Sequence, residues 1–238
     1  MKKVAVFVEG QSELIFVRNL LFYLLSPQKF SFECFKLHAE TSHTVPYEYP
    51  NPAAEIYFQI MNVEGDEKVL QTIERQQYLL KDFDKIIGLR DMYSKQYRKI
   101  SPQKIDMEVI KRFIDETSEA IQDMPHASKI DFHFAIMEIE AWWLGMYNVF
   151  AKIDSRLTPE FIKAELKYDL TKIDPQTEFF HPADIIEQIY YLIGKIYTKR
   201  KGQAEDITKK ITEDDILDLI ESGHCASFKQ FYESLTTL

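Results

Sequence analysis

Short apolar segments alternate with longer amphipathic segments along the first part of the chain. Five consecutive apolar residues at 4–8 predict a strand that is buried on both faces. Further strands are predicted at 30–38, 56–61, 85–89 and 130–137, with helical patterns at 67–80 and 106–122 between some of them. Because strands and helices alternate, we predict an α/β fold with a mostly parallel sheet that is flanked by helices.

The pattern changes after about residue 150, where strand signals stop and helical spacing continues. We therefore predict an α/β core over residues 1–150 and a helical C-terminal region over 151–238 that packs on the core. The helices of this region are predicted at 159–168, 182–199, 204–222 and 227–235. The last of them carries an apolar stripe that we interpret as core: Phe228, Phe231, Tyr232 and Leu235.

Composition and charge narrow the class of protein. The net charge of -9 argues against a broad basic surface that coats nucleic acid, although a divalent cation between carboxylates and phosphate is compatible with it. No apolar run reaches the roughly 18 residues that a membrane span needs, so we expect no membrane association. The two cysteines, Cys34 and Cys225, are interpreted as reduced thiols, and we expect a cytoplasmic protein without a signal peptide.

Acidic residues follow three of the predicted strands. Glu9 comes after the first strand, Asp91 after the strand at 85–89, and Glu138 and Glu140 after the strand at 130–137. The carboxyl ends of parallel strands share one edge of a sheet, where α/β proteins bind their ligands. Converging carboxylates repel one another unless a cation or protons intervene, and such hard oxygen ligands select Mg²⁺, Mn²⁺ or Ca²⁺.

Each of these acids also has a structural interpretation. Glu9 precedes Gly10 and a helix with Ser12 as its predicted N-cap, so it could be a solvated turn carboxylate. Glu138 and Glu140 could lie at a helix N-terminus, because acids favour the positive end of the dipole. They point the same way if the segment is extended and diverge if a helix has begun at Glu138; we favour Glu140 as the residue that faces the site.

One dense basic cluster occurs in the second half of the chain, at Lys199, Arg200 and Lys201. Lys199 and Lys201 could contact a phosphodiester beside a metal ion. The alternative is a solvated helix end whose cations lie near the last carbonyl groups. Among the histidines, His133 is interpreted as structural, and no role is assigned to His181 or His224.

Three short motifs resemble a known family in the order in which they occur. The segment VFVEGQSELIF at 6–16 resembles the first motif of Toprim domains, in which a strand ends in Glu-Gly and a helix follows. The segment GLRDMY at 88–93 falls where Toprim domains carry an Asp-x-Asp pair. The segment IMEIEAW at 136–142 resembles the Glu-x-Glu-Ala segment of the Toprim-like DUF4276 (RloG-like) family, and the chain from 197 to 235 is similar to the end of that family.

This resemblance implies a Rossmann-like Toprim core with a four-stranded, mostly parallel sheet. It assigns Glu9 as the general acid or base of phosphodiester chemistry and Asp91 as a ligand of Mg²⁺ or Mn²⁺. We count Glu9, Glu138 and Glu140 as further candidate ligands. The chain departs from the family at Tyr93, which stands where many Toprim domains have the second aspartate.

Three functions are compatible with these features. The first is a Mg²⁺-dependent nuclease or nicking enzyme that acts on DNA or RNA, in the phage-defence or restriction-linked setting that the resemblance implies. The second is a non-catalytic Toprim-fold interaction module that acts through an ATPase partner; the missing aspartate and the acidic net charge favour it. The third is phosphoryl chemistry on a small nucleotide. The sequence does not indicate whether the protein is a monomer or an oligomer.

Overall fold

The computed structural model of this protein describes residues 1–38, 41–198 and 202–237. Six strands occur within these residues, and four of the five predicted strands begin at the predicted residue. The strand at 130–137 is shorter than predicted, because the chain turns after Ala135. The strands are β1 (Lys2–Val8), β2 (Phe30–His38), β3 (Thr41–Thr44), β4 (Ile56–Asn62), β5 (Lys85–Asp91) and β6 (Ile130–Ala135).

The strands form one sheet in the order β3-β2-β4-β1-β5-β6. β1 pairs in parallel with both β4 and β5, β2 pairs in parallel with β4, and β2 pairs antiparallel with β3. The predicted α/β class with a mostly parallel sheet is therefore confirmed. The sheet has six strands rather than four. The strand that the sequence pattern missed, β3, is polar and fully exposed, so it carries no hydrophobic signal.

Several helices differ from their predicted bounds. The first begins at Gln11 with Gly10 as its N-cap, so the predicted cap Ser12 lies inside the helix. The predicted helix 67–80 is two helices, and the helix that begins at Pro182 ends at Tyr191. The predicted helix 204–222 is also two helices, because Thr212 and Asp215 form a capping box that starts a new one.

The described residues contain the following α-helices: α1 (Gln11–Leu24), α2 (Lys68–Arg75), α3 (Gln77–Leu80), α4 (Lys95–Ile100), α5 (Met107–Gln122), α6 (Glu140–Gly145), α7 (Asn148–Ile153), α8 (Pro159–Leu166), α9 (Pro175–Glu178), α10 (Pro182–Tyr191), α11 (Gln203–Thr208), α12 (Glu213–Ser222) and α13 (Ala226–Thr236). The predicted stripe on α13 is mostly core, because Phe228, Phe231 and Leu235 are fully buried.

The chain forms two compact units, each built from more than one segment. The first unit comprises residues 1–90, 107–134 and the chain from 231 onward. The second unit comprises residues 91–106 and 135–230. Residue 150, where the predicted core ends, therefore lies inside the second unit.

The first unit has an apolar core on the sheet. Ala5 and Phe7 of β1 pack in a cluster with Met61 of β4, Ile73 of α2 and Ile86 of β5. β1 and β5 run parallel with Val8 beside Leu89, so both strands reach their carboxyl ends at the same edge of the sheet. Glu9 follows the first of these ends directly.

Two further predictions from composition concern cysteines and membrane spans. Both cysteines are buried free thiols, as the composition predicts. Within the described residues, no helix has the length and apolar character that crossing a bilayer requires.

Candidate metal site

Three acidic residues of the second unit converge at one point. Asp91, Glu138 and Glu140 each offer a carboxylate oxygen, and these oxygens lie within 4.8 Å of one another. All three residues are buried, with exposed fractions of 8%, 8% and 0%. The prediction that acids from separate strand ends meet is confirmed for these three residues.

The position of Asp91 is set by the end of a buried strand and by the segment that follows it. It is the final residue of β5. The next two backbone N–H groups, of Met92 and Tyr93, donate to the carbonyl oxygens of Ala135 and Met137 at 2.9 and 2.7 Å. Ser94 then caps α4 by accepting from the N–H of Tyr97 at 3.1 Å. The segment after Asp91 is therefore hydrogen-bonded to the segment that carries the two glutamates.

The two glutamates lie on a tight turn between β6 and α6. The N–H of Glu138 donates to the carbonyl of Ile136 at 3.1 Å, which closes a three-residue turn around Met137. Met137 has a φ of 62°, a left-handed conformation that is strained for a side chain of its size. Strain of this kind concentrates at functional sites, because the surrounding structure must hold it in place.

α6 begins at Glu140, two residues later than a helix that starts at Glu138. Glu138 therefore lies in the three-residue turn, and Glu140 is the first residue of α6. The sequence left open an extended segment or a helix from Glu138, and the structure lies between these alternatives. Both carboxylates reach the site. An acid at a helix N-terminus is usually exposed and is stabilised by the helix dipole. Glu140 differs from such an acid because it is buried, as are all six residues of α6.

One oxygen of each carboxylate accepts a hydrogen bond from another group of the second unit. The backbone N–H of Ile139 donates to Oδ1 of Asp91 at 2.9 Å. The N–H of Ala183, near the start of α10, donates to Oε2 of Glu138 at 3.1 Å. The hydroxyl of Tyr197 donates to Oε1 of Glu140 at 2.9 Å. Each carboxylate is therefore oriented by a protein donor, as metal-binding side chains commonly are.

Tyr197 is held as a donor by its surroundings. Burial, the charge of Glu140 and the hydrogen bond to that carboxylate together raise the pKa of Tyr197 far above its ordinary value. The hydroxyl therefore keeps its proton at any physiological pH. It accordingly donates to Glu140 and orients this carboxylate.

The geometry of the three acids fits a divalent cation. Oxygens that bind one Mg²⁺ or Ca²⁺ lie roughly 2.0–2.6 Å from the ion, so two of them are at most about 4–5 Å apart. The separation of at most 4.8 Å is within that range. Carboxylate oxygens are also the donors that hard divalent cations prefer. These three residues could therefore hold a metal ion.

The remaining predicted site residues are Glu9, Lys199 and Lys201. Glu9 belongs to the first unit, where it is half-buried and its carbonyl accepts from the N–H of Gly65 at 3.0 Å. Its roles as acid or base and as a metal ligand stay predictions. Lys199 and Lys201 lie outside the described residues, so their contact with phosphate also stays a prediction.

Tyr93 takes part in an aromatic cluster. Its ring lies edge to face with those of Phe180 and His181, at centroid distances of 5.3 and 4.7 Å. The guanidinium of Arg98 lies 5.2 Å from the centre of the Tyr93 ring. A tyrosine in this cluster does not replace a carboxylate ligand, and Glu138 and Glu140 supply the acidic oxygens beside Asp91 instead.

Sequence reasoning missed two groups that orient the carboxylates, the Tyr197 hydroxyl and the Ala183 N–H. The pattern HPADII at 181–186 does signal a helix start, which is where a backbone N–H is available for an anionic group. No local pattern marks Tyr197, which reaches Glu140 across 57 positions of sequence.

No family model, curated protein or solved structure matches this chain. The resemblance to Toprim domains therefore stays a prediction that depends on the motifs themselves.

Proposed function

We propose that this chain performs divalent-metal-dependent phosphodiester chemistry on nucleic acid, as a nuclease or nicking enzyme. The observation that carries the proposal is the convergence of Asp91, Glu138 and Glu140, three buried carboxylates from two segments of the chain, within 4.8 Å of one another. The motifs that resemble Toprim domains support the same chemistry, and with it the phage-defence or restriction-linked role that the resemblance implies.

Asp91, Glu138 and Glu140 would hold the ion, for which we propose Mg²⁺ or Mn²⁺. Bound there, the ion would stabilise negative charge that develops on phosphate oxygens. The residues of the chain orient the ligands: Tyr197 and the N–H groups of Ala183 and Ile139 each donate to one carboxylate. Proton transfer is assigned to Glu9 by the resemblance alone.

Nicking of supercoiled plasmid in Mg²⁺ or Mn²⁺ tests the proposal. We expect the wild type to nick, and Asp91→Asn and Glu140→Gln to lose activity by about 100-fold or more, because the charge that stabilises the transition state is removed. Glu165→Gln is the matched control in the second unit, since Glu165 is exposed on α8. Activity that survives both substitutions, or no activity in the wild type, contradicts the proposal.

The role of Glu9 is tested separately. Glu9→Gln should lower the nicking rate by about 100-fold or more, which is the usual contribution of a general acid or base. It should leave Mn²⁺ affinity unchanged if Glu9 moves protons, and should weaken that affinity if Glu9 is also a ligand. Glu74→Gln, at an exposed position of α2 in the same unit, is the control.

A second candidate is the non-catalytic module that acts through an ATPase partner. The observation that favours it is Tyr93, which lies in an aromatic cluster where many Toprim domains have an acid. Wild-type protein that binds no Mn²⁺ in calorimetry, nicks no DNA and forms a stable complex with an ATPase would support this candidate over the first.

A further inference from the structure

A cavity of about 440 Å³ opens in the second unit beside the candidate metal site. One of the three converging acids, Glu138, forms part of its wall, and so does Tyr197, which donates to Glu140. The volume falls within the range of roughly 300–1,000 Å³ that small-molecule sites occupy. A ligand in this cavity would therefore lie next to the candidate metal ion.

Two aromatic rings besides that of Tyr197 line the same cavity. Tyr93 and His181 both contribute to its wall, with ring centres 4.7 Å apart and planes at 86°. Phe180 packs against both rings from beside them, at 5.3 and 4.5 Å. The rings are half-buried and braced by one another, so they form a corner rather than a mobile surface. Every nucleobase has a flat π-face that stacks on such rings.

The polar part of the wall includes two carboxylates in addition to that of Glu138, together with Thr198. Asp184 and Glu187 lie one turn apart on α10 and are both exposed. Carboxylates repel phosphate but accept hydrogen bonds from amino groups, as Asp and Glu do from the N4 amino group of cytosine. At these carboxylates the cavity wall therefore favours the amino group of a nucleobase over a phosphate group.

We propose that this cavity receives the base of one unpaired nucleotide, stacked on Tyr93 with an edge toward His181 and its amino group toward Asp184 and Glu187. The inference rests on the proposed function, which supplies nucleic acid as the class of ligand. A base inside a duplex is stacked and paired, and it must leave the helix to enter such a pocket. The substrate class is accordingly single-stranded nucleic acid, or a strand with an unpaired base that bears an amino group.

Fluorescence anisotropy with labelled 12-residue strands tests this inference, in Ca²⁺ so that binding is measured apart from Mg²⁺-dependent cleavage. We expect oligo-dC to bind more tightly than oligo-dT and than a duplex of mixed sequence. Tyr93→Leu should weaken the binding of oligo-dC by about 5- to 150-fold, the range that loss of one base-stacking ring produces. Tyr93→Phe should bind as the wild type does, because it keeps the ring.

Two further variants keep the test decisive if Tyr93→Leu does not fold. The double variant Asp184→Asn and Glu187→Gln changes only exposed side chains, and it should reduce the preference for oligo-dC over oligo-dT. Tyr191→Ala is the control, because Tyr191 is 76% exposed on the same helix and does not line the cavity.

The outcomes separate this inference from the proposed function. Plasmid nicking together with strand binding that neither Tyr93→Leu nor the double variant alters would overturn the inference alone. Binding that depends on Tyr93 and prefers oligo-dC, without any nicking, would support the inference and overturn the proposed function. Displacement of oligo-dC by tetramethylammonium, with equal affinity for oligo-dC and oligo-dT, would identify an organic-cation site and overturn the inference.

Discussion

The two units of this protein bury different kinds of side chain. In the first unit, the sheet packs on an apolar cluster that includes Phe7, Ile73 and Ile86. In the second unit, Asp91, Glu138 and Glu140 are buried together. Burial of apolar surface is the dominant favourable contribution to folding, whereas charged groups are expensive to bury. The first arrangement is therefore explained by stability, whereas the second places three carboxylates where they could hold a metal ion.

The largest predicted effect on stability comes from a substitution in the apolar cluster of the first unit. Phe7→Ala should lower the free energy of unfolding by about 3–5 kcal/mol, because it removes a fully buried ring and leaves a cavity. Chemical denaturation measures the change. Tyr78→Ala is the control: Tyr78 is 70% exposed, so its loss should stay within roughly 0.5 kcal/mol. Equal effects of the two substitutions would show that this cluster is not the core of the first unit.

The next effect concerns pH and a histidine of the first unit. Burial lowers the pKa of His133 from 6.5 to about 4, against the opposing effect of Asp131, and its ring packs on Phe231 at 5.5 Å. The unfolded chain takes up this proton near pH 6.5 and the folded chain only near pH 4. The free energy of unfolding should therefore fall as the pH drops between these values, by at most about 3 kcal/mol from this group.

Denaturation at a series of pH values checks the role of His133. His133→Gln should flatten the pH dependence between these limits, and His43→Gln, at an exposed position of β3, should leave it unchanged. A wild-type profile that His133→Gln leaves unaltered would contradict the assignment of His133 as a histidine that stays neutral in the folded chain down to about pH 4.

A somewhat smaller effect on stability is expected from Mg²⁺ binding at the three acids of the second unit. Mg²⁺ at about 100 times its dissociation constant should stabilise the wild type by about 2.7 kcal/mol, since an ion that binds only the folded state stabilises it by mass action. Glu140→Gln should lose this gain, whereas Phe7→Ala should keep it. Unfolding measured with and without Mg²⁺ checks both. Stabilisation of Glu140→Gln by the same amount would contradict the metal site.

The smallest effect sharpens the role of Tyr197. Tyr197→Phe removes the hydroxyl that orients Glu140 and should weaken Mn²⁺ binding by about 10-fold, in the lower part of the range for groups that position metal ligands. Tyr190→Phe is a matched control: its ring lies 5.6 Å from that of Tyr197, and its buried hydroxyl has no hydrogen-bond partner among the described residues. Calorimetry should separate the two variants, and equal affinities would contradict a positioning role for Tyr197.

Much of the first unit could be predicted from the sequence. The apolar runs at 4–8 and 85–89 both correspond to strands, because a strand buried on two faces leaves a continuous hydrophobic signal. Parallel pairing then places the ends of β1 and β5 at one edge, which is why an acid after each strand was a sound candidate. β3 could not be predicted, because an exposed polar strand has no such signal.

The sequence by itself determined the α/β class, most of the strands and the acids that follow strand ends, because burial and chain direction leave a local, periodic pattern. Only the tertiary structure decided that Asp91 meets Glu138 and Glu140, that Tyr197 and the Ala183 N–H orient two of them, and that Tyr93 and His181 face one cavity. These contacts join distant segments through turns and short helices. Their geometry depends on packing across the whole second unit, which no local pattern encodes.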